Sequence, residues 1–338
     1  MKWHSPPNNI IISRTDSIGD VVLTLPVAAA IKKKFPAIKI AFLGKAYTRP
    51  VIEACRYIDE FIELDDFMKK EMTIAGKKPE AILHVFPVKK IAFRAKKLGI
   101  PMRIGTTNRI YHWAACNKLV KLSRKKSGLH EAQLNLKLLR GLGIDDSSSL
   151  DEIGHSFGLE KIRPLEKRFS GLLEQEKYNL ILHPKSQGSA REWGMPNFIS
   201  LIHLLGKSPI NIFISGTEKE RVLLQPLFDA VGGQVKDITG LMSLDEFISF
   251  IQHADGLVAN STGPLHIAAA LGKDAMGIYP PIRPMHPGRW APLGPNAKVF
   301  VLNKFCEDCR KKNTCACMSS VKPEWIADAL RQSALKLQ

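Results

Sequence analysis

Short β-branched runs alternate with helical apolar patterns in the first part of the chain. Strand-like runs lie at 10–13, 39–44, 61–64 and 81–86. Apolar side chains recur at helical spacing over the intervening segments 19–35 and 47–57, and again over 88–98. Because strands and helices alternate, the pattern predicts βαβ units and a parallel sheet.

The same alternation restarts in the second half. Strands are predicted at 179–184, 210–216, 235–240, 256–260 and 275–280. Helices are predicted at 196–206, 217–231, 243–253 and 263–271. A polar, irregular segment follows Gly143 and separates the two halves. We therefore predict an α/β protein with two doubly wound domains, at 1–160 and 178–338, joined by a linker at 161–177.

Composition is that of an ordinary globular protein, with 338 residues of which 45% are hydrophobic. No apolar run approaches the ~20 residues that span a bilayer. The polar start "MKWHSPPNNIIIS" lacks the apolar stretch and small-residue cleavage site of a signal peptide. These features predict a cytoplasmic protein.

The net charge of the chain is strongly positive, and the charged residues are unevenly distributed along it. Lys and Arg total 49 against 32 Asp and Glu, and no acidic residue occurs from Ala81 to His130. Such a basic segment, densest over Lys89–Lys126, attracts polyanions, although a solvated basic face would look the same. Recognition-helix, zinc-finger and RNA-binding strand motifs are missing, so we expect no nucleic acid. An acidic substrate or an anionic membrane surface fits better.

The loop after the first strand places two carboxylates beside a glycine, in "SRTDSIGD". Ser17 and Asp20 have capping-box spacing, which predicts a helix N-terminus. Asp20 also lies where a doubly wound sheet carries its chemistry, beyond the carboxyl end of a strand. The residues alone leave open whether Asp20 is a cap or a base, and Asp16 could itself be the cap.

Two strings in the second half favour binding of an anion. In "NSTGPLHIAAALG", Thr262 and Gly263 precede Pro264 at a helix start, and His266 lies in the first turn. A helix N-terminus binds phosphate through its free amides and its dipole. A well-capped helix with a surface His is the plainer alternative.

The second string, "HPKSQGSAREW", follows a predicted strand. Ser186, Gly188 and Ser189 can present small donors to a diphosphate, and Arg191 can neutralise it. Trp193 is expected to be a packing residue.

Together with "RIG" at 103–105 and "SGTEKER", these strings resemble the bacterial heptosyltransferases, glycosyltransferase family nine. The likeness runs from about residue 8 to residue 330. It implies the GT-B fold, in which two Rossmann-like domains face each other across a cleft. It also implies transfer of heptose from ADP-heptose to the inner core of lipopolysaccharide, at the cytoplasmic face of the inner membrane. The acceptor would bind to the first domain and the nucleotide-sugar donor to the second.

The resemblance assigns roles to residues of this chain. It implies that Asp20 is the general base of an inverting transfer. Donor diphosphate contacts are implied for Ser186, Gln187, Arg191, Thr262, Gly263 and His266. The resemblance also implies that Glu220 or Glu218 binds the ribose and that Ser261 contacts the donor sugar. In the acceptor half, we expect contacts from Gly19, Lys89, Lys90, Arg94 and Arg103.

One departure concerns the donor sugar. The family commonly has D-T-G where this chain has Ser261, Thr262 and Gly263. The uncharged Ser261 keeps the diphosphate site intact but leaves the identity of the sugar open. We expect no catalytic metal and no cofactor, because no D-x-D motif lies between the strands and the basic groups can stabilise the leaving diphosphate.

Four cysteines lie close together near the C-terminus: Cys306, Cys309, Cys315 and Cys317. Four thiolates at such spacing could hold a structural zinc ion, although reduced surface thiols are the alternative.

Two other function classes stay open. A nucleotide-dependent oxidoreductase on this fold is disfavoured, because no G-x-G-x-x-G follows the first strand. A basic nucleotide- or lipid-binding protein with a degenerate transferase site would keep the charge without the chemistry.

Overall fold

The computed structural model describes residues 6–124, 127–188, 190–283, 285–304, 306 and 315–336. The chain divides into two compact units, Met1–Lys161 and Ile162–Gln338. Each unit has one six-stranded sheet whose paired strands all run parallel.

The first unit contains strands β1 to β6 and helices α1 to α8. The strands are β1 Asn9–Ser13, β2 Lys39–Gly44, β3 Glu60–Glu63, β4 Ala81–His84, β5 Met102–Thr106 and β6 Lys118–Val120. The helices are α1 Ile18–Val22, α2 Leu25–Lys34, α3 Arg49–Glu53, α4 Leu64–Lys69, α5 Lys89–Lys97, α6 Ile110–Ala115, α7 Glu131–Leu136 and α8 Leu150–Gly154. The strand order is β3-β2-β1-β4-β5-β6.

The described residues of the second unit repeat this plan with strands β7 to β12 and helices α9 to α16. The strands are β7 Tyr178–His183, β8 Ile210–Ile214, β9 Lys236–Asp237, β10 Gly256–Asn260, β11 Asp274–Ile278 and β12 Ala297–Phe300. The helices are α9 Lys167–Ser170, α10 Met195–Leu205, α11 Glu218–Val231, α12 Leu244–His253, α13 Gly263–Ala270, α14 Pro287–Trp290, α15 Ala316–Ser319 and α16 Pro323–Leu335. The order β12-β11-β10-β7-β8-β9 matches that of the first sheet when each unit is numbered from its own first strand.

Central strands are the best predicted elements. All five residues of β1 and all five of β10 are buried, because helices cover both faces of a parallel sheet. The helix predicted over 19–35 is instead two helices, α1 and α2, which separate at Leu23 and Thr24. Pro26 follows that break in the first turn of α2, where the missing backbone N–H of proline leaves no helical partner unmatched.

The residues predicted as a linker, 161–177, have their own structure. Those from Ile162 onward belong to the second unit, where they form α9 with the buried Phe169. The carbonyl of Leu172 accepts hydrogen bonds from Asn211 and Lys236. The polar segment before Lys161 is also anchored, since Ile153, Phe157 and Leu159 are buried.

Two buried histidines lie at the carboxyl edge of the first sheet. His84 ends β4 and pairs in register with Ser13 of β1. Its ring centroid is 5.7 Å from that of His112 on α6. Among the described residues, neither ring nitrogen of His84 has a hydrogen-bond partner.

No helix in the described part of the chain is long and apolar enough to cross a membrane.

Candidate active site

A charged cluster lies directly after β1 and is centred on Arg14. The buried guanidinium donates from Nε to Asp16 Oδ1 at 2.7 Å and from Nη2 to Asp20 Oδ1. Its Nη1 reaches Glu131 Oε1 at 3.1 Å and Asn135 Oδ1 at 3.3 Å. We call Arg14, Asp16, Asp20, Glu131 and Asn135 the Arg14 cluster.

Arg124 and Thr24 extend this network. Arg124 donates to Glu131 Oε1 at 3.0 Å and to Asn135 Oδ1 at 2.7 Å. The amide of Asn135 donates to the Leu23 carbonyl and to Thr24 Oγ1, so α7 is tied to the break between α1 and α2. Three carboxylates therefore share two guanidinium groups.

Asp20 is not part of a capping box. Ser17 is the N-cap residue of α1, but its side chain makes no capping hydrogen bond. Its hydroxyl donates instead to Asp20 Oδ2 at 2.5 Å. The helix N-terminus predicted at Ser17 is confirmed, but the capping box is wrong: Arg14 and Ser17 orient the Asp20 carboxylate. That side chain retains 16% exposure, against 1% for Glu131, so an incoming group can reach it.

The cluster changes the proton affinity of its members. Burial first, and then the charge of Asp20, raise the pKa of Asp16 to about 6, against the opposing effect of Arg14. Burial acts to lower the pKa of Arg14, but Asp20, Asp16 and Glu131 outweigh it and raise that pKa. Tyr47, whose hydroxyl donates to the Asp16 carbonyl at 2.5 Å, has a pKa raised by burial and then by Asp16 and Asp20.

Sequence reasoning missed Arg14, Glu131 and Asn135. Arg14 could have been found, because it is the first residue after a buried strand and therefore lies at the sheet edge where sites form. Glu131 is the first acidic residue after the long acid-free segment. Asn135 carried no signal, since its role depends on a contact 121 residues away along the chain.

In the second unit, the ends of three neighbouring strands bring the predicted donor residues together. The loops after β7, β8 and β10 meet at the carboxyl edge of the sheet, since β10, β7 and β8 are adjacent. His183 Nδ1 lies 3.0 Å from Ser215 Oγ, and Gln187 Nε2 donates to Thr217 Oγ1 at 3.5 Å. We call this region the donor edge.

Asn260, at the end of β10, ties these loops to one another. Its Nδ2 donates to the Pro184 carbonyl at 2.8 Å, and its Oδ1 accepts from the Trp193 backbone N–H at 2.9 Å. Trp193 is fully buried and donates its indole N–H to the Val321 carbonyl, as expected of a packing residue.

The loop after β7 has an unusual backbone. Gln187 has a φ of +49° and is followed by Gly188 at +78°, so two successive residues are left-handed. The buried Ser186 donates its hydroxyl to the Ala190 carbonyl at 2.9 Å, and its backbone N–H bonds Glu192 Oε1 at 3.1 Å. Arg191 is half-buried in the same loop. Ser189 lies outside the described residues.

The start of α13 leaves a hydroxyl unused. Thr262 is the N-cap residue, but it makes no capping hydrogen bond, and its buried Oγ1 has no partner among the described residues. Gly263 begins the helix and His266 is buried in its first turn. Ser261, which precedes the N-cap residue, is half-buried. The plainer alternative, a well-capped helix, does not describe this N-terminus.

Glu220 has one oxygen engaged and one unused. In the capping box of α11, its Oε2 accepts from the Thr217 backbone N–H at 2.7 Å and from Thr217 Oγ1 at 2.9 Å. Its other oxygen, Oε1, is buried without a partner in the described structure. The alternative residue, Glu218, is exposed.

The predicted acceptor residues divide into two groups. Lys89 and Lys90 are exposed at the start of α5, and Gly19 is buried in α1. Arg94 instead bonds the carbonyls of Phe67 and Lys70, at the end of α4. Arg103 bonds those of Ile100 and Ala115.

The cysteine cluster is only partly described. Cys306, Cys315 and Cys317 are buried in the core of the second unit, and Cys309 lies outside the described residues. Among the described side chains, no group of three or more His, Cys, Asp and Glu residues is arranged to hold a metal ion. The zinc site stays a prediction.

Comparison with known proteins bears on the whole chain. The family model for glycosyltransferase family 9 (heptosyltransferase) matches residues 80–318. A Haemophilus influenzae protein provisionally named a glycosyltransferase is 26% identical over 318 residues, which are 90% of each chain. Lipopolysaccharide heptosyltransferase 3 of Escherichia coli is 20% identical over 77% of this chain and 79% of its own. The solved structure of E. coli ADP-heptose lps heptosyltransferase II has a TM-score of 0.76 at 18% identity, covering 97% of this chain and 99% of that one.

Proposed function

Since the chain belongs to glycosyltransferase family 9 (heptosyltransferase) and has the GT-B type of α/β fold, we propose that it transfers a heptose or related sugar from an ADP-sugar to an inner-core acceptor of lipopolysaccharide. The first unit would bind the acceptor and the second the donor. Relatives named heptosyltransferases, and a solved relative named for ADP-heptose, support this choice of substrates.

Asp20 acts as the general base in this proposal. Its carboxylate takes the proton from an acceptor hydroxyl while that oxygen attacks the anomeric carbon, and the bond from that carbon to the diphosphate oxygen breaks. The configuration at the anomeric carbon inverts and the nucleotide leaves as ADP. The observation that carries the proposal is that Arg14 and Ser17 orient Asp20, which caps no helix.

The charge of the cluster is compatible with this role. An Arg beside a carboxylate ordinarily weakens it as a base, because the cation favours the ionised form. Here Arg14 is shared with Asp16 and Glu131, so its positive charge does not act on Asp20 alone. Arg14 is a positioning residue in this scheme.

The donor edge supplies the groups that an ADP-sugar needs. The N-terminus of α13 and Arg191 would hold the diphosphate, together with Ser186, Gln187, Gly263 and His266. The free Thr262 hydroxyl and Glu220 Oε1 would bond the phosphate oxygens and the ribose hydroxyls, respectively. These groups would stabilise the leaving diphosphate without a metal ion.

The acceptor and its surroundings complete the proposal. Exposed Lys89 and Lys90 would contact a phosphorylated or acidic core oligosaccharide. The enzyme would work in the cytoplasm, bound to the anionic inner face of the inner membrane.

The decisive experiment replaces Asp20 with Asn, whose oxygen can still accept from Arg14 and whose NH2 group can donate to the Ser17 hydroxyl, but which takes no proton at neutral pH. Sugar transfer to a deacylated core acceptor should fall by ~10²–10⁴ in kcat, with ADP affinity and melting temperature retained. Asp16→Asn is the matched control, since it removes a carboxylate from the same guanidinium. Near wild-type turnover in Asp20→Asn would remove the base from the mechanism.

The donor is tested separately, by the shift in melting temperature with ADP, UDP, GDP or NAD, because a ligand that binds the native state stabilises it. We expect ADP to give the largest shift. A shift with UDP or GDP alone would overturn the ADP assignment and keep the transferase, whereas a shift with NAD alone would contradict both. Ser261 makes the sugar the open variable, so ADP-sugars should be compared once the nucleotide is known.

A further inference from the structure

Helix α6 presents two large apolar side chains to solvent. Ile110 is 90% exposed, more than any other large hydrophobic residue described, and Trp113 is 65% exposed. They are three residues apart and therefore share one face of the helix. His112 and Ala115 on the other face are buried. One face of α6 is therefore packed against the first unit, and the opposite face is exposed to solvent.

Trp113 is prepared for an apolar medium. Its indole N–H donates to the Thr107 carbonyl at 3.1 Å. An indole N–H that enters a bilayer without a partner carries a desolvation cost, and here that donor is already satisfied within the protein. Insertion of the ring would leave no unmatched polar atom on it.

Cations surround this apolar pair. On the neighbouring helix α5, Lys89, Phe93 and Lys96 lie on one exposed face at intervals of four and three residues. Lys96 Nζ donates to the Ala114 carbonyl at 2.8 Å, which holds α5 against α6. Arg109 is exposed at the N-cap of α6. The segment from Ala81 to His130 contains no acidic residue that could balance these charges.

We propose that this face docks on an anionic phospholipid bilayer, with Ile110 and Trp113 inserted at the level where headgroups meet acyl chains. The docking face consists of Lys89, Lys90, Phe93, Lys96, Lys97, Arg109, Ile110 and Trp113. Basic residues beside inserted aromatic and aliphatic side chains are the combination that interfacial helices use. The inference rests on the proposed function, because a lipid-linked acceptor is what would make membrane docking useful. Vesicle binding itself can be measured without an acceptor.

Docking would place the chemistry near its substrate. Helix α6 follows β5 and Asp20 follows β1, so both lie toward the carboxyl edge of the same sheet. A bilayer bound at α6 would thus present a lipid-linked acceptor to the edge that carries the Arg14 cluster.

A second copy of the chain fits this face less well. A twofold dimer would bring the same patch of each copy together and oppose its lysines to one another. An anionic bilayer instead matches the charge and the apolar pair simultaneously. Self-association is therefore an outcome that the test must detect.

The test measures co-flotation of the full chain with vesicles of phosphatidylcholine, alone or mixed with phosphatidylglycerol. Wild type should bind the mixed vesicles, and the double variant Ile110→Ser/Trp113→Ser should bind them at least roughly tenfold more weakly, from loss of two inserted side chains. The control Val222→Ser/Trp325→Ser removes comparably exposed side chains, at 77% and 43%, from the second unit and should bind as wild type.

The contributions of side-chain insertion and of positive charge to vesicle binding can be measured separately. Vesicles with brominated acyl chains should quench the fluorescence of wild type but not that of a Trp113→Phe variant. Replacing Lys89, Lys90, Lys96 and Lys97 with Glu should abolish binding, since each basic residue contributes about fivefold near an anionic surface.

Three results would overturn the proposal: equal binding to both kinds of vesicle, unchanged binding of the Ile110/Trp113 variant, or loss of a dimer instead of vesicle binding in that variant. Transfer to a water-soluble deacylated acceptor separates this inference from the proposed function. Activity without vesicle binding would refute docking alone, and vesicle binding without activity would refute the transferase alone.

Discussion

The two units share one strand order but handle polar groups at the carboxyl edge differently. In the Arg14 cluster, the carboxylates of Asp16, Asp20 and Glu131 are all bonded to guanidinium groups of the same unit. At the donor edge, Thr262 Oγ1 and Glu220 Oε1 are buried without hydrogen-bond partners among the described residues. The first edge also contains buried polar atoms without partners in the described structure, Ser13 Oγ and both ring nitrogens of His84, so the contrast concerns the carboxylates: those of the Arg14 cluster are bonded, and that of Glu220 has an unused oxygen.

The difference follows from what each edge is proposed to do. A base must be held in place before substrate arrives, so its partners belong to the protein. A buried polar atom without a partner is destabilising, and it is tolerated where a ligand supplies the missing hydrogen bond. The comparison therefore teaches that an unused carboxylate oxygen beside an unused hydroxyl favours a ligand site at the donor edge, whereas carboxylates already bonded to arginines favour a preassembled group.

The largest expected effect is at the centre of the Arg14 cluster. Arg14→Met keeps the length of the side chain but removes every donor, which leaves Asp16 and Asp20 without their cation. We expect a loss of about 3–5 kcal/mol in the free energy of unfolding, measured by urea denaturation.

Arg163→Met is the matched control for this variant. Arg163 also bonds two carboxylates, those of Asp245 and Glu166, but it is exposed. Its loss should have a far smaller effect, because solvent screens surface pairs. If both variants lose the same stability, the cluster is not the assembled unit described above.

A pair of threonines sharpens the contrast between the edges. Thr24→Val removes a hydroxyl that donates to the Asp20 carbonyl at 2.8 Å and accepts from Asn135, so unfolding should become easier by about 1–2 kcal/mol. Thr262→Val removes a hydroxyl that bonds nothing described, so stability should hold or rise.

The same pair should behave oppositely toward ligand. ADP binding, followed by calorimetric titration, should weaken about tenfold in Thr262→Val and stay unchanged in Thr24→Val. A stable Thr262→Val protein with undiminished ADP affinity would show that the open hydroxyl serves no ligand.

The smallest effect is expected from the backbone of the donor edge. Gln187→Gly removes the strain of a non-glycine residue at φ +49° but increases the conformational entropy of the unfolded chain. The two effects oppose each other, so the free energy of unfolding should change by no more than about 1 kcal/mol. Ala75→Gly, at φ +48° in the first unit, is the matched control. Only the Gln187 variant should alter the rate of ADP binding; a similar change in Ala75→Gly would exclude a local origin.

Sequence patterns predicted the buried central strands and the edge strands β3 and β9, but missed β5, β6 and β12. Runs such as Ile10–Ile12 are apolar on both faces, whereas β5 contains Arg103 and Gly105, and the edge strand β12 is mostly half-buried. Neither β5 nor β12 has the continuous or alternating apolar pattern by which a strand is recognised in a sequence. Helix α16 was missed although its buried Ile326, Ala327 and Leu330 recur at helical spacing.

The candidate sites divide along similar lines. The loops at Asp20, Ser186 and Thr262 could be placed from strand ends and small residues alone. The spacing of Ser17 and Asp20 predicted a capping box that does not form, because Arg14 binds the Asp20 carboxylate. Unused atoms such as Glu220 Oε1 depend on how loops converge, which is a property of tertiary packing.

The buried His84 gives the first unit a sensitivity to acid. Burial first, and then the charges of His112 and Arg103, lower the pKa of His84 to about 3, against 6.5 in an unfolded chain. Above pH 6.5 the ring is neutral in both states and stability does not depend on it. As the pH falls from 6.5 toward 3, the unfolded chain takes up a proton that the folded chain refuses, and unfolding becomes progressively more favourable. A histidine that carries no charge at neutral pH thus makes this fold less stable in acid.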